Sequence, residues 1–552
     1  MSAADTIIVA DRVHTLDPAG TRAEGVAAAV AVKDGLIVAV GGTAEVTAQW
    51  RGAATEVQHL PGATLTPGLT DGHMHPVFGA GSFRGVDLSG CRTVADLRAA
   101  LAAAVAGTGR GEWISGFGLD HNTFQGAPIS NAVIDEVLDG IPALLVLYDG
   151  HSALASSAAL RAAGIEGPRT FASRSQIVCG PDGRPTGHLL EDGAIRLVRD
   201  LMPVADLQER RAQVLDLLHS MAATGLTGGH VMDCEGDALE LIAGIEELPL
   251  RLRIAPWAMP GDIDAQIDHL LALRGTGGPR WSVDAVKFFI DGTVEGGTAW
   301  LETADCHGRS TDSFWHDPAH YTRAVQRLDA AGMQAVTHAI GDAGVRHALD
   351  ALDPSIGPGG PGGPGAPSVR PTRGVRPVRH RIEHIETLPY DQVKRFAHLD
   401  VAASMQPTHT AYTRADHSDD WSTRLGAERA GRAWCCRDLR DTGATLVLGS
   451  DWPIAHFDPR QVLATAQLRR LPGTDSQPVG PEQALTALMA LEGMTTHAAH
   501  ATGQGHHAGR IAPGHRADLT AFGLDPLTAP PDELAEAPIR LTMVDGVTTH
   551  RG

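Results

Sequence analysis

The sequence predicts an α/β protein. It comprises a TIM-like (β/α)8 barrel, a composite small β-sandwich built from both termini, and a subdomain inserted after barrel strand 1. Three observations predict this. Short β-rich runs crowd both ends of the chain. The middle alternates apolar strand-like runs with alanine-rich helical ones, the pattern of parallel βα units. Metal-ligand residue types recur where those strand-like runs end, and barrel enzymes carry their chemistry there.

The first element covers residues 1–62. "TIIVADRVHTL", "GVAAAVAVKDG", "LIVAVGG" and "EVQHLPG" are β-rich pieces broken by turn residues. The Asp34-Gly35 of "KDG" suits a type I′ hairpin, which needs positive φ at both central positions. Residues 504–552 read the same way, in "GRIAPGHRADLTAFG" and "IRLTMVDGVTTHRG". The two ends are expected to pair as one composite domain, leaving 63–503 for the barrel.

Eight barrel strands are expected, at 63–73, 225–233, 250–258, 283–292, 333–341, 379–386, 400–407 and 444–453. Two insertions remain. Residues 76–205 carry their own strand-like runs, "WISGFGL" and "ALLVLYDGH", and form a subdomain. As a βα-loop it belongs over the C-terminal face of the barrel. Residues 354–377, "PSIGPGGPGGPGAPSVRPTRGVRP", are Gly/Pro low complexity. They are expected to be disordered, to lie at the opposite face, and to be dispensable for chemistry.

The composition narrows the function classes. A net charge of −20 is spread along the 552 residues, which argues against nucleic acid or an anionic membrane as partner. No apolar run approaches the roughly 18 residues of a membrane helix. The N-terminal stretch has no basic region followed by an apolar one, so no signal peptide is read. The six cysteines form no CxxC motif, which fits a reduced, cytoplasmic protein. The expected partner is a small-molecule substrate, and the composition leaves a homodimer open.

The stretch "TPGLTDGHMHP", 66–76, sets His73 and His75 two apart, on one face if the strand is extended. Asp71-Gly72 reads as a bend where strand 1 opens onto the site. Alone, the pair is equally a polar strand end. The other strand ends supply Lys287, His338, His384 and Asp451. Each has an ordinary explanation. Asp451 in "GSD" suits a turn or helix cap. His338 and His384 suit satisfied core histidines, with Glu383 pointing away from His384. Lys287 inside "DAVKFFIDG" is costly to bury as a cation. It forms either a salt bridge or, by reaction with carbon dioxide, a carbamate able to bridge two metals.

Further candidates surround these. His151 in "DGHSA" lies in the insertion over the site, as a substrate contact. Asp291 opens the glycine-rich "DGTVEGGTA" loop, which either holds substrate or turns the chain. Met405 and Gln406 close strand 7, with Gln406 as a substrate contact. His230 reads as a core histidine, and Glu191 as a ligand substitute or a surface acid. Residues 408–429 read as a lid whose Tyr412 and Trp421 face substrate.

The pieces "LTPGLTDGHMHP", "YDGHSALASSAAL", "GRPTGHLLED", "VKFFIDGTVEGGTAWL", "THAIGDAGVRHALDAL", "HRIEHIETLPYDQVKRF", "ASMQPTH", "LGSDWPI" and "GRIAPGHRADLTAF" run in order over nearly the whole chain. In them the chain resembles the amidohydrolase superfamily, nearest the amidohydrolase-3 group that includes N-substituted formamide deformylase-like proteins. The resemblance implies His73, His75, His338 and His384 as metal ligands and Lys287 as a carboxylated bridging ligand. It implies Asp451 as both ligand and proton shuttle.

Such a donor set suits one or two Zn²⁺ ions, with Mn²⁺ or Fe²⁺ as alternatives. The expected activity is metal-dependent hydrolysis of non-peptide C–N bonds of amide, N-formyl or imide type. The same ligands would serve ester or lactone hydrolysis, or a lyase or isomerase reaction. A single-metal enzyme with an unmodified Lys287, and a metal-free binding or scaffold protein, are the remaining alternatives.

Overall fold

The computed structural model describes residues 3–18, 28–82, 85–109, 111–234, 236–356 and 378–552. Of the Gly/Pro-rich segment, residues 357–377 lie outside the described residues. The fold is mixed α/β with parallel sheets.

The parallel strands follow the expected order. They are β1 (Leu69–Met74), β2 (Leu226–Val231), β3 (Arg251–Ile254), β4 (Ala285–Phe289), β5 (Gln334–Ala339), β6 (Arg381–His384), β7 (Ala402–Met405) and β8 (Leu446–Leu448). β1 pairs with β2, and β2 with β3. Two short pieces then carry the pairing across a break. Trp281–Val283 continues from β3, and Trp257–Ala258 pairs with β4. From β4 the pairing is parallel through β8. β8 returns to β1 through a Met74–Trp452 bridge and two hydrogen bonds. His75 N donates to Trp452 O, and Asp451 N to His73 O, each at 2.7 Å.

Helices separate these strands, and local sequence explains them. Helix Leu207–Ala223 is capped by Asp206, whose side chain accepts from Glu209 N. It buries Val214, Leu218, Met221 and Ala222, a stripe at helical spacing. β4 alternates in the same spirit. Phe288 packs outward against Trp315 and Tyr321, while Lys287 and Phe289 line an interior cavity.

Both ends of the chain meet in one seven-stranded sheet, in which Leu519–Phe522 pairs with Glu56–Pro67. The "KDG" turn lies within it, with Asp34 at φ 50° and Gly35 at φ 76°. The expected strand 63–73 therefore divides. Its first part, to Pro67, belongs to this sheet, and the rest is β1. Gly68 marks the division, its N–H donating to Asp518 O at 2.7 Å. The 76–205 insertion carries a separate six-stranded sheet with its own apolar clusters.

Candidate metal and active site

β1 sets the first pair. Asp71, His73 and His75 alternate with Gly72 and Met74, so the three side chains share a face. Gly72 is not a bend but part of the strand. A Cβ there would lie 2.4 Å from Val447 Cγ1 and 2.7 Å from Leu448 O, so glycine lets β1 approach β8. Asp71 fastens the two strands. It accepts from Ser450 Oγ at 2.6 Å, and from Ser450 N and His73 N at 3.0 Å.

Donor atoms from four strands converge above this join. His73 Nε2 lies 3.2 Å from His75 Nε2 and 3.4 Å from Asp451 Oδ1. His75 Nε2 is 3.2 Å from that same oxygen. Lys287 Nζ is 3.2 Å from His73 Nε2. His384 Nδ1 is 3.7 Å from Asp451 Oδ2. Ligand atoms of His73, His384 and Asp451 all fall within 4.8 Å of one another. His338 stands beyond, its ring centroid 4.4 Å from His384.

The protons on these rings are fixed by their outer partners. His73 Nδ1 donates to Glu383 Oε2 at 2.7 Å, which leaves Nε2 a bare lone pair. His384 Nδ1 donates to Gln406 Oε1 at 3.0 Å, leaving its Nε2 bare. His338 Nε2 donates to the Gly292 carbonyl at 3.1 Å, leaving Nδ1. Burial, then neighbouring positive groups, hold His73, His338 and His384 well below the usual imidazole pKa. They are neutral, the form that binds metals. Burial alone would raise Asp451, but His73 and His75 outweigh it and hold the carboxylate far down. Burial lowers Lys287 to about 8, against the pull of Glu383 and Asp451.

Glu383 does not point away from His384. His384 and Ile385 adopt φ of 73° and 51°, which breaks the two-residue alternation at the end of β6. Glu383 and His384 therefore both reach the site. Asp451 also has positive φ, 57°. Such positions cost about 1–3 kcal/mol each and gather at functional sites.

The second-tier residues divide. His151 lines the cavity and donates from Nδ1 to Glu191 Oε2 at 2.7 Å. Burial opposes its charge, but Glu191 and Asp149 carry it up to about 9. Glu191 is buried, not a surface acid. Asp291 does not line the cavity, although its Oδ1 lies 3.8 Å from His338 Nε2. It accepts from Trp300, Ile340 and Gly341 N–H groups at 2.8–3.0 Å, so it ties the loop after β4 to the end of β5. Gln406 sits behind His384. Trp421 is buried against Trp434 and donates to Glu386 Oε2 at 2.7 Å, so it supports the wall. Its lid partner Tyr412 does line the cavity. His230 is a core histidine, accepting from Arg381 at 2.6 Å.

Among the cavity-lining groups not expected from the sequence are Tyr148, Glu295, Glu386 and His409. The cavity measures about 100 Å³. Tyr148 stacks on Tyr412 at 3.7 Å and donates its hydroxyl to Glu295. The available signals were slight. Tyr148 immediately precedes "DGHSA", and Glu295 lies inside "DGTVEGGTA".

The chain is similar to known proteins over nearly its whole length. A profile described as the amidohydrolase family (Amidohydro_3) matches residues 56–550. N-substituted formamide deformylase of Arthrobacter pascens is 28% identical over 576 residues, covering 99% of this chain and 98% of that protein. Protein LONG AFTER FAR-RED 3 of Arabidopsis thaliana is 28% identical over 514 residues, covering 89% of this chain and 83% of that one. A crystal structure of an uncharacterized metal-dependent hydrolase from Pyrococcus horikoshii OT3 superposes with a TM-score of 0.69 at 21% identity. It covers 95% of this chain and 99% of that one.

Proposed function

From the premise that the chain belongs to the amidohydrolase family and is a hydrolase, we propose that it cuts non-peptide C–N bonds of amide, N-formyl or imide type using a bound divalent metal. We read its eight parallel strands as one closed (β/α)8 barrel around the site. The two chain ends form its composite second domain, and 76–205 is the roof.

One observation carries the reading. His73 Nε2, a bare nitrogen, faces His75 Nε2, Lys287 Nζ and Asp451 Oδ1, all within 3.4 Å. Imidazole nitrogens and a carboxylate gathered this closely are the donor types that suit Zn²⁺ or a similar ion. The carboxylate–histidine contact from Glu383 is the usual support of such a ligand. His73, His75, His338, His384 and Asp451 would hold one or two ions. Lys287 would join them as a carbamate, since burial favours its uncharged, reactive amine.

A metal held by these residues would supply a water whose pKa falls from about 15.7 toward about 7, and a Lewis acid for a carbonyl. The residues do the rest. Asp451 would take a proton from the attacking water as the water oxygen bonds to the carbonyl carbon, and would give it to the nitrogen as the C–N bond breaks. His151, held charged by Glu191, faces the cavity as a donor to substrate oxygen.

The test is metal analysis followed by turnover of formamides, amides, imides, esters and lactones by the metal-loaded protein. Stoichiometric metal with C–N cleavage is expected. Absence of stoichiometric metal overturns the reading in favour of a binding or scaffold role. Turnover confined to esters or lactones overturns the bond type.

A further inference from the structure

Six carboxyl groups line the cavity, from Asp149, Glu191, Asp192, Glu295, Glu386 and Asp451. Four have a basic partner. His121 reaches Asp149 at 3.0 Å, His151 reaches Glu191 at 2.7 Å, and Arg199 reaches Asp192 at 2.7 Å. Asp451 faces the histidines of the metal site. Glu295 and Glu386 differ. Among the described residues neither has a lysine or arginine within ion-pair distance. Glu295 accepts only the Tyr148 hydroxyl. Glu386 accepts the Trp421 indole N–H, and its nearest basic atom, His409 Nδ1, is 3.9 Å from Oε1.

Both are nearly sealed, Glu295 at 8% and Glu386 at 7% exposure. A buried carboxylate without a cation is costly. Burial and Glu386 push Glu295 up to about 8, against the opposing pull of His121 and Tyr148, so the pair holds a proton at neutral pH that a bound cation would displace. Two nitrogens beside the pair are also unsatisfied. His409 Nε2 is buried without a hydrogen-bond partner and lies 3.7 Å from Asp451 Oδ2. Trp434 Nε1 is likewise buried without one. One imidazole ring therefore separates Asp451 from Glu386. Tyr148, Tyr412 and Trp434 supply aromatic surface in the same cavity, which favours a cation.

We propose that the substrate carries a positively charged nitrogen, an ammonium or amidinium, about one ring away from the bond that is cut, and that Glu295 and Glu386 bind it. The inference rests on the hydrolase reading above. It makes these two glutamates specificity residues.

Matched substrates test it. N-(aminoalkyl)formamides are compared with N-alkylformamides of equal length on the metal-loaded enzyme. The cationic member is expected to have kcat/KM at least about tenfold higher, since a buried ion pair is lost with the neutral one. Glu295→Gln and Glu386→Gln are each expected to collapse that ratio, mainly through KM. Because both groups are buried, a second measurement uses the unaltered protein: calorimetric binding of benzylammonium against benzyl alcohol. Preferential binding of benzylammonium is expected. Equal turnover of both formamides, or no preference for benzylammonium, overturns the inference while leaving the hydrolase reading standing. Preferential binding of benzylammonium with no turnover of any substrate sinks the hydrolase reading and keeps the cation site.

Discussion

His73 and His230 sit on neighbouring strands, both fully enclosed and both held far below the usual imidazole pKa by burial. Their surroundings differ completely. His230 belongs to a layer organised by Arg381. Arg381 donates to His230 Nδ1, Gly72 O, Ser404 Oγ and both oxygens of Glu383, at 2.6–2.9 Å. One step toward the cavity, His73 Nε2 meets another nitrogen, a carboxylate and a lysine amine. Burial and a depressed pKa therefore do not mark a ligand. What sets His73 apart is that its inner nitrogen faces a second imidazole, a carboxylate and a lysine amine together. Glu383 joins the layers, answering Arg381 below and orienting His73 above.

Substitutions that separate the layers test this contrast. The largest effect is expected from Lys287→Ala. It should lower kcat/KM on the order of 10³-fold, about 4 kcal/mol of transition-state stabilisation, and reduce bound metal. Acetate or propionate should restore part of the rate by standing in for the carbamate; full activity without added acid would remove Lys287 from the site. Glu383→Gln should act on both layers. Metal affinity should fall about 10–100-fold, and denaturant unfolding should register a loss of about 3–5 kcal/mol because Arg381 is left unpaired. An unchanged metal Kd would uncouple the layers.

His230→Ala should act on the lower layer alone. Stability should fall by about 1–3 kcal/mol with full metal stoichiometry; loss of metal would merge the two layers into one. The smallest effect concerns His151 and is read on chelated protein. Its folded-state pKa of about 9 lies above the ordinary 6.5. The stability from its pairing with Glu191 is therefore fully present below pH 6.5 and is lost as pH rises through 9. The melting-temperature gap between wild type and His151→Gln should shrink from pH 6 to pH 9.5. A constant gap would mean that His151 is not charged.

The strands and the polar residues at their ends were legible because parallel strands buried on both faces announce themselves, and a lysine or histidine inside such a run has few explanations. The positions that misled are those where local geometry broke the pattern. Alternation put Glu383 opposite His384, and positive φ at His384 and Ile385 cancelled it. Asp291 and Trp421 looked like site residues by position, yet each answers a local group: three backbone N–H donors in one case, Glu386 in the other. Tyr148, Glu295 and Glu386 come from distant parts of the chain. Tyr148 and Glu295 bond across 147 residues, and no local signal encodes that meeting. The expected ligand types were visible singly; their protonation, set by Glu383, Gln406 and the Gly292 carbonyl, was not.

The strand Glu56–Pro67 leads directly into β1, and its edge is covered by Leu519–Phe522, with Thr66 opposite Thr520 across 454 residues. At a synthesis rate of about 5–20 residues per second, the covering strand leaves the ribosome roughly 20–90 s after the one it protects. During that interval a strand edge one residue removed from the His73 strand stands open, the kind of edge that recruits foreign strands. Expression at lower temperature, or with more chaperone, should therefore change the yield of soluble protein more than it changes the metal content of what is recovered.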